Sequence, residues 1–187
     1  MPISQGTLAC LSNSFHLIQR FARYCDHRLP CSFGPSFWLL EEISNSDLLG
    51  ILEAARWAPS AFNGQPWRFF VGRKQDETFS KILSTLVPFN QSWAKNASAL
   101  IVIAAKTIKE DGTIHADYQY DCGLAAAQMV FEVHNRGFVA HQMTGFDREA
   151  SAKTLNMEAD LVPIVVIAIG KQDTPEKLEG PAAEREL

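Results

Sequence analysis

The uncharged polar side chains of this sequence gather at three places where chain elements meet. Ser60, Asn63 and Gln65 stand in "APSAFNGQPW", Asn90 and Trp93 in "FNQSWAKNAS", and Thr144 and Gly145 in "HQMTGFD". Hydroxyls and amides supply donors and acceptors without charge. Glycine lets a main-chain N–H approach a flat ligand, and the prolines around the first cluster restrict it before anything binds. Such groups suit a large planar ligand with many acceptors. Each cluster taken alone also reads as ordinary turn chemistry.

Other chemistries lack their residues. The chain has no GxSxG, no HExxH, no P-loop and no GxGxxG after a strand, so acyl transfer, zinc hydrolysis and phosphate-cradling loops have no signature here. His134 is expected on a helix and His141 on a strand, which does not make a metal pair. Cys10, Cys25, Cys31 and Cys122 form no CxxC and are expected as reduced thiols rather than disulfides or zinc ligands. A formal net charge of −4, with both signs interspersed, leaves no electrostatic footprint for nucleic acid. The longest apolar runs, "ALIVIAA" and "PIVVIAIG", are strand-sized and far short of a membrane span. A soluble cytoplasmic protein with no metal is the expectation.

The elements that must position the three clusters follow from periodicity and punctuation. At 187 residues one main domain is expected. Residues 1–40 are basic and poor in acids, an N-terminal helix and arm or an organellar leader. Residues 41–170 form the body, and 171–187 an acidic tail or exchanged arm. Ser44 and Asp47 read as a capping box, with Ile43 and Leu48 as its hydrophobic staple. The helix they open should run from about 47 to 57, with Leu48, Leu49, Ile51, Leu52 and Ala55 inward, and end before Pro59. "WRFFVG" reads as a buried strand, "DETFSKILSTLV" as an amphipathic helix, and "SALIVIAAK" as a central strand apolar on both faces. A long helix over 115–135 closes at Gly137. "FVAHQM" reads as a strand, Asp147 opens a further helix, and "PIVVIAIG" is the last strand. Helices alternating with strands give an α+β fold, an α/β sandwich on one sheet.

In this order the segments resemble one family. "APSAFNGQPW" after "EEISNSDLLGILEAARW", "FN" followed by "AS" and a strand, and "DCGLAAAQMVFEVHNRGFVAHQMTGFD" are similar to the FMN-dependent nitroreductases, taken broadly to include dehalogenating and oxidative relatives. The likeness covers about residues 41–170. It implies a nitroreductase-like fold with a central mixed sheet flanked by helices, and a homodimer whose subunits share the site. In that family the PSxxN loop crosses a twofold interface to the FMN held mainly by the other subunit. Carried over, Pro59, Ser60 and Asn63 touch that flavin, while Gln65 and Trp67 brace the loop. Asn90 hydrogen-bonds the isoalloxazine ring, Thr144 and Gly145 lie at its N5 and O4 side, and the small-residue centre "CGLAAAQM" serves the dimer core. Trp93 stands where some members have a Lys at the pyrimidine edge, implying a more apolar pocket.

The resemblance also implies a grip on the FMN phosphate, either by Arg20 and Arg23 of "QRFARYCD" or by Arg28 and Ser32 of "HRLPCSFG", with Arg185 as a C-terminal candidate. Family members take hydride from NADH or NADPH at flavin N5 and pass electrons to a second substrate, such as a nitroaromatic, a quinone or a related small electrophile. No side chain is therefore assigned as catalytic, and Cys122 and His141 are read as structural. Two other readings stay open: a non-catalytic flavin-fold dimer or flavin-binding module, because the arginine cluster departs from the family's Arg-x-Ser-x-Arg-like pattern, and a flavin enzyme acting on oxygen or a halogenated ring.

Overall fold

Apolar side chains at every position from Ala99 to Ala105 leave a strand no face to show to water, so both sides of it must be covered. In the computed structural model, which describes residues 38–39 and 42–172, this strand is β3 (Ala99–Lys106), and it lies inside the sheet. It pairs on one side with β2 (Trp67–Arg73) and on the other with β5 (Leu161–Gln172). β5 also pairs with β4 (Val139–Met143) and, at its C-terminal end, with the short β1 (Trp38–Leu39). Every pairing among the described strands is antiparallel, where a mixed sheet was expected.

Helices cover both faces, as expected of an α/β sandwich. Ala99, Ile101, Ile103 and Ala105 face α1 (Asn45–Arg56) and α4 (Tyr118–Asn135). Leu100 and Val102 face α2 (Glu77–Thr85) and α3 (Pro88–Ala94), with Met143 and Phe146 in the same cluster. Each fully buried branched side chain contributes about 1.5–3 kcal/mol, so the alternation along β3 fixes the two layers together. The last helix, α5 (Arg148–Thr154), packs against α2 and β5. Among the described residues no helix is long and apolar enough to cross a membrane.

The helix starts follow the capping residues. Ser44 Oγ accepts from the Asp47 N–H at 3.0 Å and gives its own proton to the Asp47 carboxylate at 2.7 Å. Asp76 and Asp147 cap α2 and α5 in the same way, accepting from Phe79 N and Ala150 N. Ile43 and Leu48 are buried in one cluster, as the staple requires. Leu49 is not inward but 66% exposed, because it lies about 100° round the helix from the stripe of Leu48, Ile51 and Ala55.

Three further expectations are corrected. The strand "WRFFVG" is an edge strand among the described residues and only partly buried, with Arg68 exposed. It touches α2 closely at Gly72, where a Cβ would run into the main chain of Phe79. Asn90 stands not on a loop but inside α3, which Pro88 opens at a first-turn position where its missing N–H is no loss. The long helix begins at Tyr118 rather than His115. The His115 N–H is already bonded to Thr107 O at 2.8 Å, closing a hairpin whose rungs include Ile108 and Ile114. At its other end Gly137 takes φ +73°, the left-handed conformation that ends a helix at glycine.

Candidate functional site

The first polar cluster is a loop with almost no freedom left. After α1, Pro59 bars further helix and Ser60 turns extended, at φ −146° and ψ 155°. A tight turn over Ala61–Asn63 follows, and Phe62, Asn63 and Gln65 all take positive φ, at 52°, 56° and 44°. None of them is glycine, so the backbone is held where L residues rarely go. The holding bonds are local: Ser60 Oγ accepts from Gln65 N–H at 3.0 Å, and Gln65 Nε2 donates to Asn63 Oδ1 at 2.8 Å. Gln65 therefore braces the loop, and Trp67, 5% exposed, anchors its exit.

Two buried polar residues that sequence reasoning missed grip the same loop. Asp121, in the first turn of α4 and 1% exposed, accepts from the Ala61 N–H through both carboxylate oxygens at 3.2 Å. His115, 4% exposed, packs its Nε2 against Gly64, where any Cβ would collide with it. A signal for Asp121 was present: it is an acid directly before "CGLAAAQM", a stretch otherwise without charge. A buried carboxylate needs donors, and the loop's main chain supplies one.

The second and third clusters form one unit. Gly145 O accepts from Val87 N–H at 3.1 Å and from Asn90 Nδ2 at 3.0 Å, and Asp147 N–H donates to Thr85 O at 2.8 Å. The loop after β4 is thus laced to the junction of α2 and α3. A Cβ on Gly145 would lie 2.9 Å from Asn90 Nδ2 and 3.3 Å from Val87 Cγ2, so the space at this main chain exists only because the residue is glycine. Asn90 is half-buried, and its Oδ1 and second amide hydrogen take no part in that bond. Thr144 is exposed beside it.

The neighbouring groups are chemically quiet. Cys122 is fully buried, and burial, reinforced by the Asp121 charge, pushes its thiol up to about 12, so it is no nucleophile. Burial pushes His141 down to about 4, leaving a neutral ring at pH 7. Its partner Trp93 meets it edge to face, with centroids 4.6 Å apart and planes at 68°. Trp93 is 7% exposed within the core, so it packs the interior rather than lining an open apolar pocket as expected. Among the described residues no three His, Cys, Asp or Glu side chains are placed to hold a metal.

The two units lie on opposite faces of the sheet. Ala58 and Trp67, which flank the first loop, belong to the α1–α4 layer, while Phe146 and Trp93, next to the second unit, belong to the α2–α3 layer. No hydrogen bond among the described residues joins residues 60–65 to Asn90, Thr144 or Gly145. Pro59 is exposed at the mouth of the first loop. Arg20, Arg23, Arg28, Ser32 and Arg185 lie outside the described residues.

Comparison with known proteins bears on the same span. The model of the Nitroreductase family matches residues 39–86 and 72–171. A solved structure described as an oxidoreductase containing FMN is similar with a TM-score of 0.77 and 32% identity, covering 82% of this chain and 80% of its own. A protein of Archaeoglobus fulgidus with the provisional name NADH dehydrogenase/NAD(P)H nitroreductase is 32% identical over 133 residues, 69% of this chain and 74% of the relative. The CLA biosynthesis enone reductase of Lactiplantibacillus plantarum is 26% identical over 167 residues, 70% of this chain and 76% of the relative.

Proposed function

This chain belongs to the nitroreductase family, and we propose that it is an FMN-dependent NAD(P)H oxidoreductase, active as a homodimer, that reduces nitroaromatics, quinones or related small electrophiles. The observation that carries the reading is the lacing of Asn90 to Gly145, which keeps a side-chain-free main chain next to an uncharged amide. This pairing offers a flat ring neutral groups to lie against, and the residues suit FMN on that ground. Asn90, Thr144 and Gly145 would hold the ring from one subunit. Ser60 and Asn63, with Pro59 beside them, would reach it from the other, on a loop whose ordering cost is already met within the chain.

The chemistry FMN would supply when bound is redox: acceptance of hydride from NADH or NADPH and delivery of electrons to the acceptor. The chain's own part is to orient the ring and to place hydrogen-bond donors where negative charge gathers on reduction. Cys122, buried, and His141, half-buried, are both held neutral, in keeping with a site that uses no side-chain acid or base. The FMN phosphate falls to Arg20 and Arg23 or to Arg28 and Ser32, with Arg185 as a further donor. Exposed surface on α4 suits the homodimer: Tyr120 is 71% exposed, and Gly123 has nothing within 4 Å of where a Cβ would stand.

The visible spectrum of the purified protein tests the reading. One FMN per chain, retained after removal of free flavin and bleached anaerobically by NADH or NADPH, is the expected result. A correctly folded dimer that keeps no added FMN would overturn it.

A further inference from the structure

Phe62 is 99% exposed. A single apolar side chain on a surface ordinarily needs no account, but this one is displayed by a built support. Phe62 and Asn63 are held at positive φ without being glycine. The turn that holds them is fixed by Ser60 and Gln65, by the buried Asp121 on Ala61 N–H, and by the buried His115 against Gly64. A loop free to relax would return Phe62 to an ordinary conformation and tuck the ring onto its own surface. Here two polar groups from the protein interior oppose that. Lys109 Nζ, from the adjoining hairpin, stands 6.0 Å from the ring centroid, and the ring is otherwise open.

We propose that Phe62 is a specificity-determining residue: an aromatic platform on which planar conjugated acceptor substrates stack, in the site completed by a second copy of the chain. This rests on the reading above, in which the adjacent Asn63 lies against the flavin of the other subunit. Its neighbour on a rigid turn is then placed to meet the second substrate rather than the cofactor. Stacking on an aromatic ring rewards planar acceptors and does nothing for compact ones.

The test compares wild type, Phe62→Ala and Phe62→Tyr, each loaded with FMN and checked for flavin content by absorbance. kcat/KM is measured for 1,4-naphthoquinone, which is planar, and for ferricyanide, which cannot stack. Binding of 2-naphthoate, a planar ligand that is not reduced, is measured by calorimetry. Phe62→Ala should lower the naphthoquinone-to-ferricyanide ratio about threefold to tenfold, mainly through KM, and weaken 2-naphthoate by a similar factor. Phe62→Tyr should restore both. An unchanged ratio at full flavin content, or equal losses for the two acceptors, would overturn the assignment. A wild type that holds no FMN, or that reduces neither acceptor, would instead overturn the underlying reading and the assignment with it.

Discussion

Replacing Asp121 with Ala removes the only carboxylate that reaches from the α4 core to the candidate cofactor loop among the described residues. Its oxygens accept from Ala61 N–H at 3.2 Å, and the side chain is 1% exposed. A hydrogen bond to a charged acceptor is worth about 1.5–3 kcal/mol, and the loop it restrains sits at positive φ in three non-glycine residues. With that restraint gone, the loop can leave its strained conformation, and FMN must order it again on binding. If the whole bond energy appears in binding, affinity falls roughly tenfold to a hundredfold. Asp121→Asn keeps an acceptor at the same place through a weaker, neutral bond, so its loss should stay below about tenfold. The assay is an FMN titration followed by flavin fluorescence, with urea unfolding of the same preparations. An Ala variant that binds FMN within about twofold of wild type would refute the positioning role. So would a variant whose stability falls while FMN affinity stays unchanged, since that would make Asp121 a core residue and nothing more. The graded order of wild type, Asn and Ala is the outcome a merely structural role would not produce.

Two other perturbations test separate parts of the site. Gly145→Val should lower FMN affinity at least about tenfold without unfolding the chain. Its Cβ would start 2.9 Å from Asn90 Nδ2 and drive that amide off Gly145 O, at a cost of about 1 kcal/mol before any direct crowding of the ligand. Gly145 is not among the residues at positive φ, so backbone strain does not contaminate the comparison, and normal binding by the variant would remove Gly145 from the ring edge. His141 tests the pH dependence: burial lowers its folded value to about 4, against about 6.5 in the unfolded chain. Between those values the unfolded state binds more protons, so the stability is fully present above about pH 6.5 and is lost as pH falls toward 4. Urea midpoints at about pH 7 and 4.5 should show His141→Gln losing about 1–2 kcal/mol less than wild type, a discounted figure because the ring is partly exposed. Equal slopes would show that His141 stays neutral in both states or is charged in both.

What was legible in the sequence was whatever a short window contains. The helix starts at Ser44 and Asp147 depend on residues three positions away, and each forms. The double-faced burial of β3 needs only its own composition. Partners far apart in the chain were not legible. Leu49 looks inward beside Leu48 until the position of α4 decides which stripe is covered. His115 has helical neighbours, but its N–H goes to Thr107, and that bond belongs to a hairpin with no period to detect. "FNQSWA" was read by its polar residues as a loop, whereas Pro88 at the first helical turn and the buried Trp93 and Ala94 make it one short helix. For the site, the three polar clusters were visible as residue types. That Asn90 and Gly145 join, 55 residues apart, and that Asp121, 60 residues from Ala61, secures the first loop together with His115, depends on contacts no short window contains.

The sheet itself accounts for why the polar clusters divide into two units. Because β3 is buried on both faces, side chains above it cannot reach ligands below it, and Ser60 and Asn63 are fixed to the upper layer by Trp67 and Asp121. Asn90 and Gly145 are fixed to the lower layer by α3 and Phe146. Neither unit can migrate to the other without opening the core, so in the proposed reading, where one flavin touches both, a second chain would bring its loop to the site. The surface of the chain supports that arrangement. Leu49, Trp57 and Tyr120 are each more than half exposed, all on the α1–α4 layer that carries the loop. Covering such side chains contributes about 1.5–3 kcal/mol apiece when burial is complete, to be set against the roughly 4–15 kcal/mol that association costs. In the proposed dimer the loop of each chain would meet the other's Asn90 and Gly145, and association and site assembly would be one event. Light scattering on Asn63→Ala, Gly145→Val and wild type separates the two contributions, because site substitutions should weaken FMN while leaving the dimer intact.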